Sequence, residues 1–243
     1  MKIALLGYGR MGKEIEKIAL SRNHEIVLKI DINNIDELSV ENLQFSDVAI
    51  DFSIPSGAFA NIMKCFEAGT PIVSGTTGWM DKFEEIIDIC KNQHKSFFYA
   101  SNYSIGVNIF FHLNKKLARL MNKIPDYDVS IEEIHHIHKL DAPSGTAITL
   151  ANDILQQIER KKDWKLNSPG EKDSMSISVK REDEVPGTHS INYDSEVDAI
   201  EIKHTAKSRK GFAFGAVLAA EYIQDKKGFH CMDDLLKLDE MYG

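Results

Sequence analysis

Lys2-Ile-Ala-Leu-Leu-Gly-Tyr-Gly-Arg-Met-Gly12 opens as a short apolar run and closes in the pattern G-x-G-x-x-G. The run has the length of a buried strand, and residues 11–21 carry Met11, Ile15, Ile18 and Ala19 at helical spacing between charges. Glu25–Ile30 reads as a second strand, followed by Asp31, 19 residues beyond Gly12. Strand, glycine turn, helix, strand and acid come in the order a dinucleotide-binding βαβ unit requires. Gly7 permits the tight turn, Gly9 lets backbone approach a pyrophosphate, and Gly12 lets helix and strand pack closely. The N–H groups where Arg10 and Met11 start the helix face the phosphates, and Asp31 accepts from a ribose diol. A strand–turn–helix without ligand is the alternative, and Asp31 weighs against it.

Asp31 also bears on the choice of cofactor. A 2′-phosphate about 5 Å from its carboxylate meets roughly 3 kcal/mol of repulsion per unit charge at an effective dielectric near 20. Ile32 cannot relieve this, and Lys29 and Arg10 are the nearby cations in sequence. NADH is therefore expected over NADPH.

Working outward, 47–52, 71–74 and 97–100 read as further strands, with helices at 57–68 and 80–93. Strands alternating with helices imply a parallel sheet covered on both faces, a Rossmann-type domain. The pattern changes near residue 105. A helix at 106–122, an alternating strand at 127–134 and a helix at 145–160 precede a polar, loop-rich stretch at 163–174. Strands follow at 175–181, 188–193 and 197–205, then helices at 212–225 and 230–240. The expected fold is α/β: a dinucleotide-binding domain from 1–105 and 210–243, with an inserted α+β domain of mixed sheet at 106–209.

The 243 residues fit one to two domains at about 150 each. Lys and Arg number 29 against 37 Asp and Glu, a net −8 that argues against nucleic acid as partner. Cys65, Cys90 and Cys231 are odd in number and widely spaced, which suits reduced thiols in the cytoplasm. The longest apolar runs, such as Phe214–Ala220, fall short of the roughly 20 residues that cross a bilayer, so no membrane partner is expected.

The stretch 134–147 holds three of the nine histidines within four residues. For any one of them a solvated strand end is the plain reading. A metal reading pairs His136 with His138 on one strand face, with Glu132 as third ligand; no metal is expected. In an acid–base reading, His135 and Lys139, four apart, share a face on a strand or a helix. Two adjacent cations raise the cost of charging both, so one should titrate nearer neutrality. Pro143 and Ser144-Gly145-Thr146 suit a helix start whose N–H groups and two hydroxyls bind a carboxylate. Together these make a pocket for a small anion.

Glu133-Ile-His-His-Ile-His-Lys-Leu-Asp-Ala-Pro-Ser-Gly-Thr-Ala147 closely resembles the signature of the dihydrodipicolinate reductases, also called 4-hydroxy-tetrahydrodipicolinate reductases. Other segments are similar in the right order: Gly7–Gly12, Ile50–Pro55, Ser74–Trp79, Ala100–Asn108, His204–Arg209 and Phe212–Ala216. The resemblance implies NAD(P)H-dependent reduction of a cyclic dicarboxylate, after loss of its hydroxyl as water, in the diaminopimelate route to lysine. It implies that His135 and Lys139 are the catalytic pair, with Lys139 the proton donor. His136, Lys139, Gly145 and Thr146 would hold the substrate carboxylates, beside Ser144. Gly75, Thr76 and Thr77, with Ala100, Ser101, Asn102 and Tyr103, would lie against the nicotinamide and its ribose, and Arg209 near the cofactor. It also implies a homotetramer built through the sheet of the second domain.

The chain departs from the family pattern at Ile137, commonly arginine, and at Phe214, where a polar residue is usual; it is also short around 32–46. Two other functions compete: a different two-domain NAD(P)-dependent dehydrogenase, and a non-catalytic NAD(H) sensor. The first leaves His135, Lys139 and Ser144–Thr146 unexplained. The second lacks a basic patch or helix-turn-helix for a partner.

Overall fold

The computed structural model describes residues 1–208 and 210–238. The chain divides into two compact units, Met1–Ile105 with Lys210–Gly243, and Gly106–Arg209.

The first unit runs β1 (Lys2–Leu6), α1 (Arg10–Ser21), β2 (Glu25–Ile30), α2 (Val40–Leu43), β3 (Val48–Asp51), α3 (Pro55–Ala68), β4 (Ile72–Ser74), α4 (Phe83–Asn92) and β5 (Ser96–Tyr99). The helix α5 (Ile105–Met121) leads into the second unit, made of β6 (Asp128–His135), α6 (Gly145–Gln157), β7 (Asp163–Leu166), β8 (Ser174–Arg181), β9 (Thr188–Asp194) and β10 (Ala199–Thr205). The first unit resumes with α7 (Lys210–Ile223), β11 (Gly228–His230) and α8 (Met232–Leu236).

Six strands form the first sheet in the order β11-β5-β4-β3-β1-β2, all parallel. Its inner strands β1, β3, β4 and β5 are mostly apolar because both faces are covered, while the edge strand β2 carries exposed Glu25 and Lys29. Along β1, Ile3 and Leu5 enter the core lined by α1 and α7, while Ala4 and Leu6 enter the core lined by α3 and α4. Leu6 pairs with Asp51, Asp51 with Ser74, and Ser74 with Tyr99. That register brings the loops after four strands out side by side at the carboxyl edge. The order reverses between β1 and β3, where open parallel sheets bind their ligands.

The second sheet, β10-β9-β6-β8-β7, is mixed: β6, β7 and β8 run parallel, β9 is antiparallel to β6, and β10 is antiparallel to β9. The period of two in β6 sends Val129, Ile131, Glu133 and His135 inward. Val129 and Ile131 pack there with Phe110 of α5 and Leu150 and Ile154 of α6.

Two local expectations are corrected. The stretch 163–174, expected as loop, begins with β7, which gains its order from pairing with β8. The helix expected at 230–240 is found as the shorter α8, starting at Met232, because His230 ends β11, where Phe229 lies on the edge of the parallel sheet against Phe97; positions 239–240 lie outside the described residues. Among the described residues no helix is long and apolar enough to cross a membrane.

Candidate active site

In the first unit the glycine loop has the conformation its spacing predicts. Gly7 lies at φ +93°, and a Cβ there would sit 2.3 Å from the Phe52 carbonyl oxygen. A Cβ on Gly12 would come within 2.5 Å of the Gly7 oxygen, so these two glycines are fixed by packing. A Cβ on Gly9 meets nothing within 4 Å. Gly9 is also the N-cap of α1 and makes no side-chain cap. The first N–H groups of α1, on exposed Arg10 and half-buried Met11, are thus left for an anion. These features fit a dinucleotide pyrophosphate.

Asp31 directly follows β2, and its Oδ1 accepts from the Asn33 amide at 2.7 Å. Asn34 closes the shortened connection, accepting from the Asp31 amide at 2.8 Å and donating to the Lys29 carbonyl at 2.9 Å. Lys29 is committed elsewhere: its ammonium is 2.6 Å from Glu16 and lies over the Tyr8 ring. Of these two cations, Arg10, at the start of α1, makes no ion pair among the described residues.

The strand-end loops hold two surprises. Thr76 is buried, and its hydroxyl donates to Asp51 at 2.8 Å while accepting from the Ser53 amide at 2.9 Å. It offers a ligand only backbone, whereas Gly75 and Thr77 remain accessible. Tyr103, expected at the cofactor, is 1% exposed; its hydroxyl donates to the Ser74 carbonyl at 2.8 Å and its ring packs against Phe52 and Phe98. Burial raises its phenol well above the ordinary value, and its side chain supports the loop from beneath. Ala100, Ser101 and Asn102 stay at the surface of that loop. Arg209 lies outside the described residues. At the departure Phe214, the Arg22 guanidinium, itself paired with Glu221, lies over the ring at 5.5 Å.

In the second unit β6 ends at His135, and residues 136–139 turn back, with the Lys139 amide donating to the His136 carbonyl at 3.1 Å. His135 and Lys139 are therefore neighbours across a turn, and do not share a strand or helix face as expected. His135 is 9% exposed. Its Nδ1 lies 3.2 Å from the Pro186 carbonyl, which assigns the proton to Nδ1 and leaves a lone pair on Nε2. Nε2 is buried and has no hydrogen-bond partner. Burial, then repulsion from His189 and Lys139, outweighs attraction to Glu133 and brings the ring down to about 4. Of the pair, His135 is the group that gives up its charge. The ammonium of Lys139 meets both oxygens of Asp141, at 2.7 and 2.8 Å.

Half-buried His136 keeps a buried Nδ1 without a hydrogen-bond partner. At the start of α6, Gly145 is exposed and Thr146 half-buried. Ser144 is corrected: at 3% exposure it caps α6 by accepting from the Ala147 amide at 3.2 Å, and its hydroxyl also meets His189 Nε2 at 3.1 Å. Its hydroxyl is consumed in holding the helix start.

The metal reading of His136, His138 and Glu132 does not survive. The turn carries His138 onto Glu184 at 3.1 Å, and Glu132 faces the other side of the sheet, 2.6 Å from Lys180. The donor set that does assemble is Glu133, His135 and His189, with ligand atoms within 4.8 Å of one another. Glu133 is already met by Arg181 and the Ser144 amide, and a guanidinium beside it opposes a cation. Sequence reasoning missed Glu133, Arg181 and His189; the inward period of β6 was the one signal for Glu133.

Comparison with known proteins matches two family models, one on either side of residues 104–105. The family model described as dihydrodipicolinate reductase, N-terminus, matches residues 1–103, and that described as dihydrodipicolinate reductase, C-terminus, matches residues 106–236. A 4-hydroxy-tetrahydrodipicolinate reductase of Christiangramia forsetii is 55% identical over 97% of this chain and 98% of its own. A dipicolinate-bound dihydrodipicolinate reductase from Paenisporosarcina sp. TG-14 shares the fold, with a TM-score of 0.77 at 24% identity over 96% of this chain and 98% of that one. A probable dehydrogenase from Thermotoga maritima is more distant, with a TM-score of 0.55 at 10% identity over 98% and 93% of the two chains. This chain belongs to the dihydrodipicolinate reductase family and is an oxidoreductase.

Proposed function

We propose that the chain reduces 4-hydroxy-tetrahydrodipicolinate to tetrahydrodipicolinate, in the diaminopimelate route to lysine, with His135 and Lys139 as its acid–base pair. One observation carries this reading: neutral His135, the Lys139 ammonium and the open first turn of α6 occur within one short stretch of the second unit. A dianion needs cations and N–H donors, and Lys139, His136, Gly145 and Thr146 supply them. Overall the substrate loses water and gains one hydride and one proton. A reduced nicotinamide bound on the first unit supplies the hydride. Lys139 delivers the proton from Nζ to the ring carbon left electron-rich, and His135, uncharged, offers Nε2 as an acceptor that steadies the donor. In the first unit, Gly75, Thr77 and Ala100–Asn102 line the place expected for the nicotinamide, with Thr76 and Tyr103 behind them.

The test is NADH consumption with and without the condensation product of the preceding synthase. Turnover that requires this substrate, and inhibition by a planar pyridine dicarboxylate, is the expected result. NADH binding without turnover on the dicarboxylate would overturn the reading.

NADH is the preferred cofactor on this reading, because a carboxylate, Asp31, follows β2 where the ribose is expected, while Lys29 is held by Glu16. A homotetramer is part of this reading, built through the face of the second sheet opposite α5 and α6, which carries Ser130, Glu132, Ser178, Asn192 and Lys203. Sedimentation at micromolar concentration tests this; a monomer rejects it. Cys65 and Cys90 are buried unpaired thiols, which suits the cytoplasm.

A further inference from the structure

Glu133 is fully buried on the inward face of β6, two residues before His135. A carboxylate in that position is costly unless each oxygen is met. Oε2 accepts from the Ser144 amide at 2.9 Å and lies 3.7 Å from His189 Nε2. Oε1 accepts from both terminal nitrogens of Arg181, each at 3.3 Å. Arg181 pairs with His135 in the β6–β8 register, and His189 pairs with Glu133 in the β6–β9 register. The same guanidinium reaches onward to the Lys139 carbonyl at 3.3 Å and the Asp141 carbonyl at 2.7 Å. One buried carboxylate thereby ties together the strand end bearing His135, the turn bearing Lys139 and the start of α6.

We propose that Glu133 and Arg181 are positioning residues of this reductase, a clasp that sets Lys139 and the first turn of α6 at a fixed distance from His135. The inference rests on the substrate-site reading above and deepens it. A buried ion pair that only held the fold together could be exchanged for apolar packing with little loss. Besides a bond from Nη1 to the Lys180 carbonyl at 2.9 Å, this guanidinium spends two donors on carbonyls of a turn that has few other bonds. Among the described residues, the other backbone hydrogen bonds of 137–141 run from the Ile137 amide to Asp183 and from the Lys139 amide to His136. The planar fork of arginine is what reaches a carboxylate and two carbonyls at once; a lysine ammonium lacks that geometry.

The experiment compares wild type, Glu133→Gln and Arg181→Lys, measuring kcat and KM for the dicarboxylate, NADH affinity by fluorescence, and Tm. Wild type must turn over the substrate; if it does not, the functional reading fails and this inference with it. With wild type active, Arg181→Lys is expected to stay folded, to bind NADH within about twofold of wild type, and to lose kcat by about 10²-fold, the scale of a 1 Å misplacement. Glu133→Gln should show the same split. In Arg181→Ala, millimolar guanidinium chloride should restore part of the lost kcat, a rescue that general loss of packing would not allow. Folded Arg181→Lys with wild-type kcat and KM overturns the proposal, and so does loss of activity in step with loss of NADH binding. Should Glu133→Gln fail to fold, Arg181→Lys and the rescue decide the matter.

Discussion

The ammonium of Lys139 is clasped by both carboxylate oxygens of Asp141, two residues along the same turn. Lys139 is one-fifth exposed and Asp141 more than half, so the pair is a surface ion pair of modest worth, about 0–1 kcal/mol. A dianionic substrate seeking the same ammonium has to compete with it.

Asp141→Asn should therefore bind a pyridine dicarboxylate about twofold to fivefold more tightly at low salt, a gain that shrinks near 0.5 M salt. Titration calorimetry at both ionic strengths measures it. An unchanged or weaker affinity would mean that Asp141 orients Lys139 for the substrate and does not compete with it.

Lys139→Ala should lower kcat by about 10²-fold or more, the scale of lost acid–base catalysis, while NADH affinity stays near wild type. Gly9→Val should do the reverse. Gly9 has an extended backbone that any residue adopts, and its Cβ position is open, so the variant folds and only the pyrophosphate is excluded. Collapse of NADH affinity in Lys139→Ala would move that residue into the cofactor site.

Much of this was legible before any coordinates, and the illegible part has a common cause. The parallel sheet follows from strand–helix alternation, and the nucleotide loop from Gly7, Gly9, Gly12 and Asp31, because those signals are local. Thr76, Tyr103 and Ser144 sit inside motifs that read as ligand-binding, yet their side chains point into the protein and hold the loops that present Thr77, Asn102 and Gly145. A motif records both roles in the same letters, and only burial separates them. Arg181 and His189 lie more than forty residues beyond His135 and join it through strand register alone, which no local pattern reports. Lys29 reads in the sequence as a free cation, yet Glu16 on α1, thirteen residues earlier, holds it.

Acid should destabilise the chain in two steps. The His135 ring, brought from 6.5 down to about 4 chiefly by burial, stays neutral where the unfolded ring takes up a proton. Stability is then fully present above pH 6.5 and falls as pH drops toward 4, by about 3 kcal/mol across the window. For Glu133, burial alone would raise the carboxyl, but His189, the Ser144 hydroxyl and the Ser144 amide hold it at about 2 against an ordinary 4.5. Its contribution is present above pH 4.5 and is lost on the way to pH 2. Urea midpoints from pH 7 to pH 4 should slope downward in wild type and more gently in His135→Gln. Identical slopes would show that the ring is not held neutral.

Cofactor preference turns on whether one carboxylate outweighs the surrounding cations. Asp31 is half-buried at the end of β2, Ile32 beside it is 90% exposed and apolar, and Lys29 is neutralised by Glu16. The roughly 3 kcal/mol of repulsion expected against a 2′-phosphate is weakened by solvent at such a site, which brings the expected NADH preference in kcat/KM to about tenfold. Asp31→Asn keeps an oxygen for the Asn33 amide and removes the charge, so NADPH should come within about threefold of NADH, the gain lying in its KM. Wild type that works tenfold better with NADPH would mean that Arg10 supplies a phosphate site strong enough to override Asp31. In that case Arg10→Ala, and not the Asp31 variant, would shift the ratio.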